Sequence, residues 1–153
     1  MYSIDEIDIK ILEILQKNGR TRRNELAELV GLSIPSVSER MRKLEENKYI
    51  SGYHAVLNSK LLGKDITAFI LVTVDSSKHY NSFKDHTSSV DEILEVHAIT
   101  GSGTHLLKIK TENTSTLEKL LSKIQSWSGV IKSSTSLVLS TSKESTNIKI
   151  NKK

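Results

Sequence analysis

Two hydrophobic rhythms in one chain constrain this sequence more than any other feature. From Ile4 to Asn47 the apolar residues recur every three or four positions, the spacing of helices with one buried face. From Ile66 onward they fall in strand-length blocks separated by short helical stripes. One bundle or one sheet cannot serve both rhythms, so the pattern predicts a helical unit followed by an α+β unit. In a chain of 153 residues each unit is close to the size at which burying enough apolar surface becomes difficult, and association with a second copy is expected.

The first stripe, Ile4, Ile7, Ile11, Ile14 and Leu15, predicts a helix from about 4 to 18. Ser3 with Glu6, or Asp5 with Asp8, can cap it, and Gly19 in a left-handed conformation can stop it. Leu26, Leu29 and Val30 give a short second helix ended by Gly31. Ser33 then offers an N-cap, and Pro35 fits a first turn whose amides have no intrahelical partner. Val37, Met41 and Leu44 mark the buried face of a third helix ending near Asn47, which leaves Ser36, Ser38, Glu39, Arg40, Arg42 and Lys43 on or beside its open faces. Ile50, Gly52, Tyr53, Ala55 and Leu57 read as a wing or a connecting strand.

The segment 66–74 is apolar on both alternating faces, with Phe69 and Leu71 on one and Ile70, Val72 and Val74 on the other. An antiparallel strand packed on helices normally keeps a polar second face, so a partner subunit's sheet is expected to cover it. There follow a helix with Tyr80, Phe83 and Val90, a strand over 92–100, a Gly101-Ser-Gly103 turn and a strand over 105–111. A helix with Leu117, Leu120, Leu121 and Ile124, a turn at Trp127-Ser-Gly129 and a strand over 130–140 complete the pattern. Strand, helix, strand, strand, helix, strand is the order of a ferredoxin-like sandwich. The expected organisation is therefore a winged helix-turn-helix in 1–52, a connecting strand and linker in 53–65, a βαββαβ domain in 66–141 and a basic tail in 142–153. The tail is expected as a loose arm or, through Ile148 and Ile150, as one more edge strand.

Charge adds direction. The formal net charge is +4, and between Arg20 and Lys43 six basic residues (Arg20, Arg22, Arg23, Arg40, Arg42, Lys43) face three acidic ones. The longest strongly apolar run, Ala68 to Val72, is too short to cross a bilayer, and the chain has no cysteine for disulfides or thiolate metal sites. The opening residues lack the basic and apolar regions of a secretory signal, so a cytoplasmic location is expected.

Glu25-Leu-Ala-Glu-Leu-Val-Gly-Leu-Ser33, followed by Val37, Glu39-Arg40, Leu44-Glu45 and Ile50-Ser-Gly52-Tyr53, resembles the Lrp/AsnC (leucine-responsive, feast/famine) regulators. Ile4-Asp5 with Asp8 and Ile11-Leu12, and later Thr100-Gly101, Leu106-Leu107 and Gly129-Val130, extend the resemblance over essentially the whole chain. It implies a winged helix-turn-helix ahead of a ferredoxin-like RAM/ACT-like domain, a homodimer built through that domain, and assembly to tetramers or octamers. It also implies an amino-acid effector held between dimers near Gly101, Ser102, Gly103 and Thr104, with Thr135. The family usually carries Gly-x-aromatic-Asp where this chain has Gly101-Ser102-Gly103-Thr104, so a carboxylate for an effector's ammonium group is missing there.

In a helix-turn-helix the second helix reads base edges in the major groove from its N-terminal half. Ser33, Ser36 and Ser38 are short donors and acceptors for such contacts, Arg40 and Arg42 suit guanine or phosphate, and Arg22, Arg23 and Lys43 suit the backbone of double-stranded DNA. The chemical alternatives are an enzyme like the sirohaem decarboxylases that resemble this family in fold, using His54, His97 or His105, and an assembly module that binds no DNA. His97 and His105 on neighbouring strands are the closest plausible metal pair but lack a ligand motif, so no metal, cofactor or catalytic residue is expected. Gly101-x-Gly103 lacks the third glycine and the following helix of a dinucleotide fingerprint and reads as a tight turn.

Overall fold

A computed structural model describes residues 2–151. The chain divides into two compact units, residues 1–56 with 143–153, and residues 57–142. No helix among the described residues is long and apolar enough to cross a membrane.

The first unit holds α1 (Glu6–Lys17), α2 (Arg23–Val30) and α3 (Ile34–Glu46). Asp5 caps α1 in a reciprocal box: its carboxylate accepts from the Ile7 and Asp8 amides, and Asp8 accepts from the Asp5 amide. The helix stops at Asn18 in an extended conformation, one residue before the expected Gly19, which does not take a positive φ. Gly31 ends α2 at φ +71°, and the Leu32 amide then bonds back to the Ala27 carbonyl at 3.0 Å. Ser33 starts α3 by accepting from the Ser36 amide, with Pro35 in the first turn. Ile11, Leu26, Val37 and Leu44 are fully buried where the helices meet, each side chain stabilising the unit by about 1.5 to 3 kcal/mol.

Two expectations change here. Residues 50–58 form no strand ladder, so the segment expected as a wing or a connecting strand carries no strand pairing. The described part of the basic tail, 142–151, forms no strand and is tied to the helical unit. Gln16 donates to the Ile148 carbonyl at 3.1 Å and accepts from the Ile148 amide at 2.7 Å, while Ile150 packs against the helical core. A side-chain amide thus replaces the strand partner that the alternating isoleucines suggested.

The second unit contains β1 (Ile66–Val74), a single 3-10 turn at Ser77–His79, α4 (Tyr80–Ser88), β2 (Ile93–Ala98), β3 (His105–Thr111), α5 (Thr114–Gln125) and β4 (Val130–Leu137). Its sheet runs β2-β3-β1-β4 with every neighbour antiparallel. This is the ferredoxin-like arrangement that the element order predicts. Ala68, Ile70, Val72, Val74, Leu107 and Ile109 pack inward with Phe83, Leu120, Ile124 and Trp127. β2 and β4 end at Ala98 and Leu137, short of the expected 100 and 140; the β2–β3 ladder shifts register between Ile93 and Glu95, and the β1–β4 ladder between Thr73 and Val74.

Candidate nucleic-acid interface

α3 presents Ser33, Ser36 and Arg42 to solvent and Ser38 and Lys43 at half-buried positions, while Val37, Met41 and Leu44 hold it to the core. The Ser33 and Ser36 hydroxyls lie 2.8 Å apart, so the capping serine and one candidate reading serine share a hydrogen bond. Arg42 is clasped by Glu39 and Glu46, and the Lys43 ammonium stands 3.8 Å from Glu39. The hydrogen bonds from Arg42 hold the Glu39 carboxyl below its ordinary range, and those same glutamates raise the Arg42 guanidinium. All of these groups except Lys43 are exposed, so the pairing is readily exchanged for another anion. Arg22 and Arg23, at the start of α2, are exposed and make no ion pair among the described residues.

Arg40 differs from the expectation placed on it. Its guanidinium turns inward and donates to Asp5 at 2.8 Å and Asp8 at 2.7 Å, leaving its side chain 25% exposed. Conversely, Ile34 and Pro35 stand exposed in the first turn of α3, where sequence reasoning assigned no role. Their signal is that two apolar residues directly follow the Ser33 cap, before the buried face begins at Val37.

At the other candidate site, Gly101 takes φ +114° and the turn folds back on β1. A side chain at position 103 has no room: a Cβ there would stand 2.6 Å from Leu71 Cδ1. The Thr104 amide donates to the Val72 carbonyl at 2.9 Å, and its hydroxyl accepts from the Val74 amide at 2.9 Å. The single hydroxyl proton can serve the Val72 carbonyl or His105 Nδ1. Thr104 therefore extends the β1–β3 ladder and has little left for a ligand. Thr135 is paired with Ile70 on the β4 side of β1, whereas the turn lies on the β3 side, so one protomer does not bring the two together. A groove of about 610 Å³ lies instead between α4 and β2, lined by Tyr80, Phe83, Leu94, Val96 and His105 among others.

The histidines do not converge. His105 points into the core beside Tyr80 and Phe83, and burial lowers its pKa. His97, opposite Leu106, lies on the other face of the sheet and pairs with Glu95. His54 belongs to the other unit. Among the described residues no three metal-ligating side chains gather.

That other face of the sheet has an apolar centre of Phe69, Leu71 and Leu106, with Lys108 beside Phe69 and Lys110 beside Thr67. Phe69 is 37% exposed, and no helix of this unit covers it.

Residues 4–51 match the family described as winged helix-turn-helix DNA-binding, and residues 67–148 match the Lrp/AsnC ligand binding domain. The chain is 37% identical to the HTH-type transcriptional regulator FL11 of Pyrococcus abyssi over 148 residues, 97% of each protein. A Neisseria meningitidis transcriptional regulator solved in complex with L-methionine superposes with a TM-score of 0.93 at 30% identity, covering 97% of this chain and 98% of that one. Escherichia coli AsnC superposes with a TM-score of 0.88 at 31% identity, covering 95% and 99%.

Proposed function

Since the chain belongs to the Lrp/AsnC family, we propose that it is a sequence-specific regulator that binds double-stranded DNA as a homodimer or a larger assembly in the cytoplasm and responds to a small molecule. The observation that carries this reading is the open face of α3. Serines and an exchangeable arginine line a helix whose opposite face is anchored in a helix-turn-helix core. Ser36, Ser38 and Arg42 reach base edges, and Ile34 and Pro35 meet thymine methyl groups. Ser33 sets the start of the helix, and Arg22, Arg23 and Lys43 neutralise phosphates.

The dimer forms through the outer face of the sheet, where Phe69, Leu71 and Leu106 give the apolar centre of a protein interface and Lys108 and Lys110 its polar rim. The effector binds between copies. Gly101, Ser102, Gly103 and Thr104 contribute from one protomer and Thr135 from another, because one protomer keeps them on opposite sides of β1. An amino acid is the first class to test, given the L-methionine bound by the Neisseria relative, although Thr104 supplies no carboxylate for its ammonium group. Genomic footprinting of the purified protein over a salt series tests the central reading. Discrete sites with two related half-sites and salt-steep binding are expected, and a folded oligomer that protects no site contradicts it.

A further inference from the structure

One side chain joins the middle of α3 to the start of α1. Arg40 Nη1 donates to Asp5 Oδ2 and to Asp8 Oδ1, and Asp8 is 1% exposed. The second Asp8 oxygen is already occupied, accepting from the Tyr2 hydroxyl at 2.8 Å and the Asp5 amide at 3.1 Å. Burial and then the bond to Asp8 push the Tyr2 phenol up to about 12, so it stays a donor across the working pH range. Tyr49, just beyond α3, closes the ring of contacts: its hydroxyl donates to the Tyr2 carbonyl at 2.9 Å, and the two rings meet edge to face. The two carboxylates that cap α1 therefore also hold α3.

The energetics separate Arg40 from its neighbour Arg42. Pulling Arg40 out to a phosphate or a base leaves the buried Asp8 carboxylate without its counter-ion, a penalty that an exposed contact does not repay. Arg42 gives up only exposed glutamates.

We propose that Arg40 is a positioning residue for DNA recognition: through Asp5 and Asp8 it fixes the seat of α3 on α1, and it does not touch the duplex. This rests on the reading of α3 as the helix that enters the groove. Arg40→Ala then keeps every DNA-contacting side chain but loosens the seat of the helix that carries them.

The test uses the full chain, a duplex that the wild-type protein selects from a random-sequence library, and a scrambled duplex of the same length. Arg40→Ala and Asp8→Asn are each expected to weaken binding to the selected duplex by about tenfold, and the double variant no further, because the two residues act as one unit. Arg40→Lys should recover part of the loss, since an ammonium can still meet one carboxylate. The slope of log K against log salt should stay at the wild-type value throughout, and Arg40→Ala should select the same sequence as wild type.

A slope lower by about 0.9 in Arg40→Ala alone would mean a lost phosphate contact and overturn the proposal. A selected sequence altered at one base pair in Arg40→Ala but not in Asp8→Asn would do the same, as would additive losses in the double variant. Should Arg40→Ala fail to fold, Asp5→Asn replaces it, since asparagine caps a helix as well as aspartate does but removes one charge from Arg40. Wild-type affinity in Asp5→Asn then overturns the proposal, and a slope-neutral loss supports it. A wild-type chain that selects no sequence overturns the regulator reading itself and the proposal with it, which the wild-type arm reveals before any variant is measured.

Discussion

In the first unit several polar groups find partners within the unit: Asp8 is met by Arg40 and Tyr2, Arg42 by Glu39 and Glu46, and the Ile148 backbone of the returning tail by Gln16. Residues 57–142 do the reverse with apolar surface. Helices cover one face of the sheet, and on the other Phe69, Leu71 and Leu106 lie outside the unit's buried core. A unit that completes its own core and shows serines and exchangeable cations suits a polar, anionic surface. A unit that leaves an apolar sheet face open suits a second copy of itself. On the function proposed above, the two halves divide reading and assembly between them, and each is expected to break without the other.

The largest effect should come from the open face. Phe69→Glu places a carboxylate at its centre, so light scattering should report a single chain where the wild type gives at least two. Affinity for the selected duplex should fall by about 100-fold or more once two reading helices are no longer linked. Retention of the wild-type mass would place the dimer contact elsewhere. Next, Gly103→Ala forces a methyl group against Leu71 and should cost about 1 to 3 kcal/mol in chemical denaturation. Adding Leu71→Ala should restore part of that loss, and strictly additive losses would break the link between the turn and β1.

Arg22→Ala probes the first unit at its rim. It should weaken selected and scrambled duplexes alike and lower the salt slope by about 0.9, which a binding series at several salt concentrations measures directly. The smallest effect is pH-dependent. Burial lowers the His105 pKa below its ordinary 6.5, so the unfolded chain takes up a proton more readily than the folded one. His105 therefore costs no stability above that value, and stability declines as pH falls through it toward the lowered folded value. His105→Phe should flatten that part of the stability curve, and an unchanged slope would assign it to other groups.

Periodicity alone made the two units and the order of their elements legible in the sequence. The three stripes correspond to α1, α2 and α3, and the alternation along β1 matches the structure, with Ile70, Val72 and Val74 in the core and Phe69 and Leu71 on the opposite face. Features that depend on partners far apart in sequence were not readable in that way. Arg40 and Asp8 are 32 residues apart, and only the place of Arg40 three positions after buried Val37 and four before Leu44 hinted that it borders the core. Alternating Ile148 and Ile150 suggested a strand because nothing local reveals that Gln16, 132 residues away, takes up the Ile148 backbone. Thr104 stood out as a departure from the acidic pattern, but its use in the β1–β3 ladder follows from register, which the spacing of apolar residues alone does not specify.

The most direct test of the division between reading and assembly is the affinity of the full chain for its selected duplex relative to the scrambled one, measured across a salt series with the mass of the complex determined in the same samples. The account predicts at least two chains on each selected duplex, a preference over the scrambled duplex of about a thousandfold or more, and binding that weakens steeply with salt. Equal affinity for the two duplexes in a folded oligomer would contradict it and leave assembly as the function of both units.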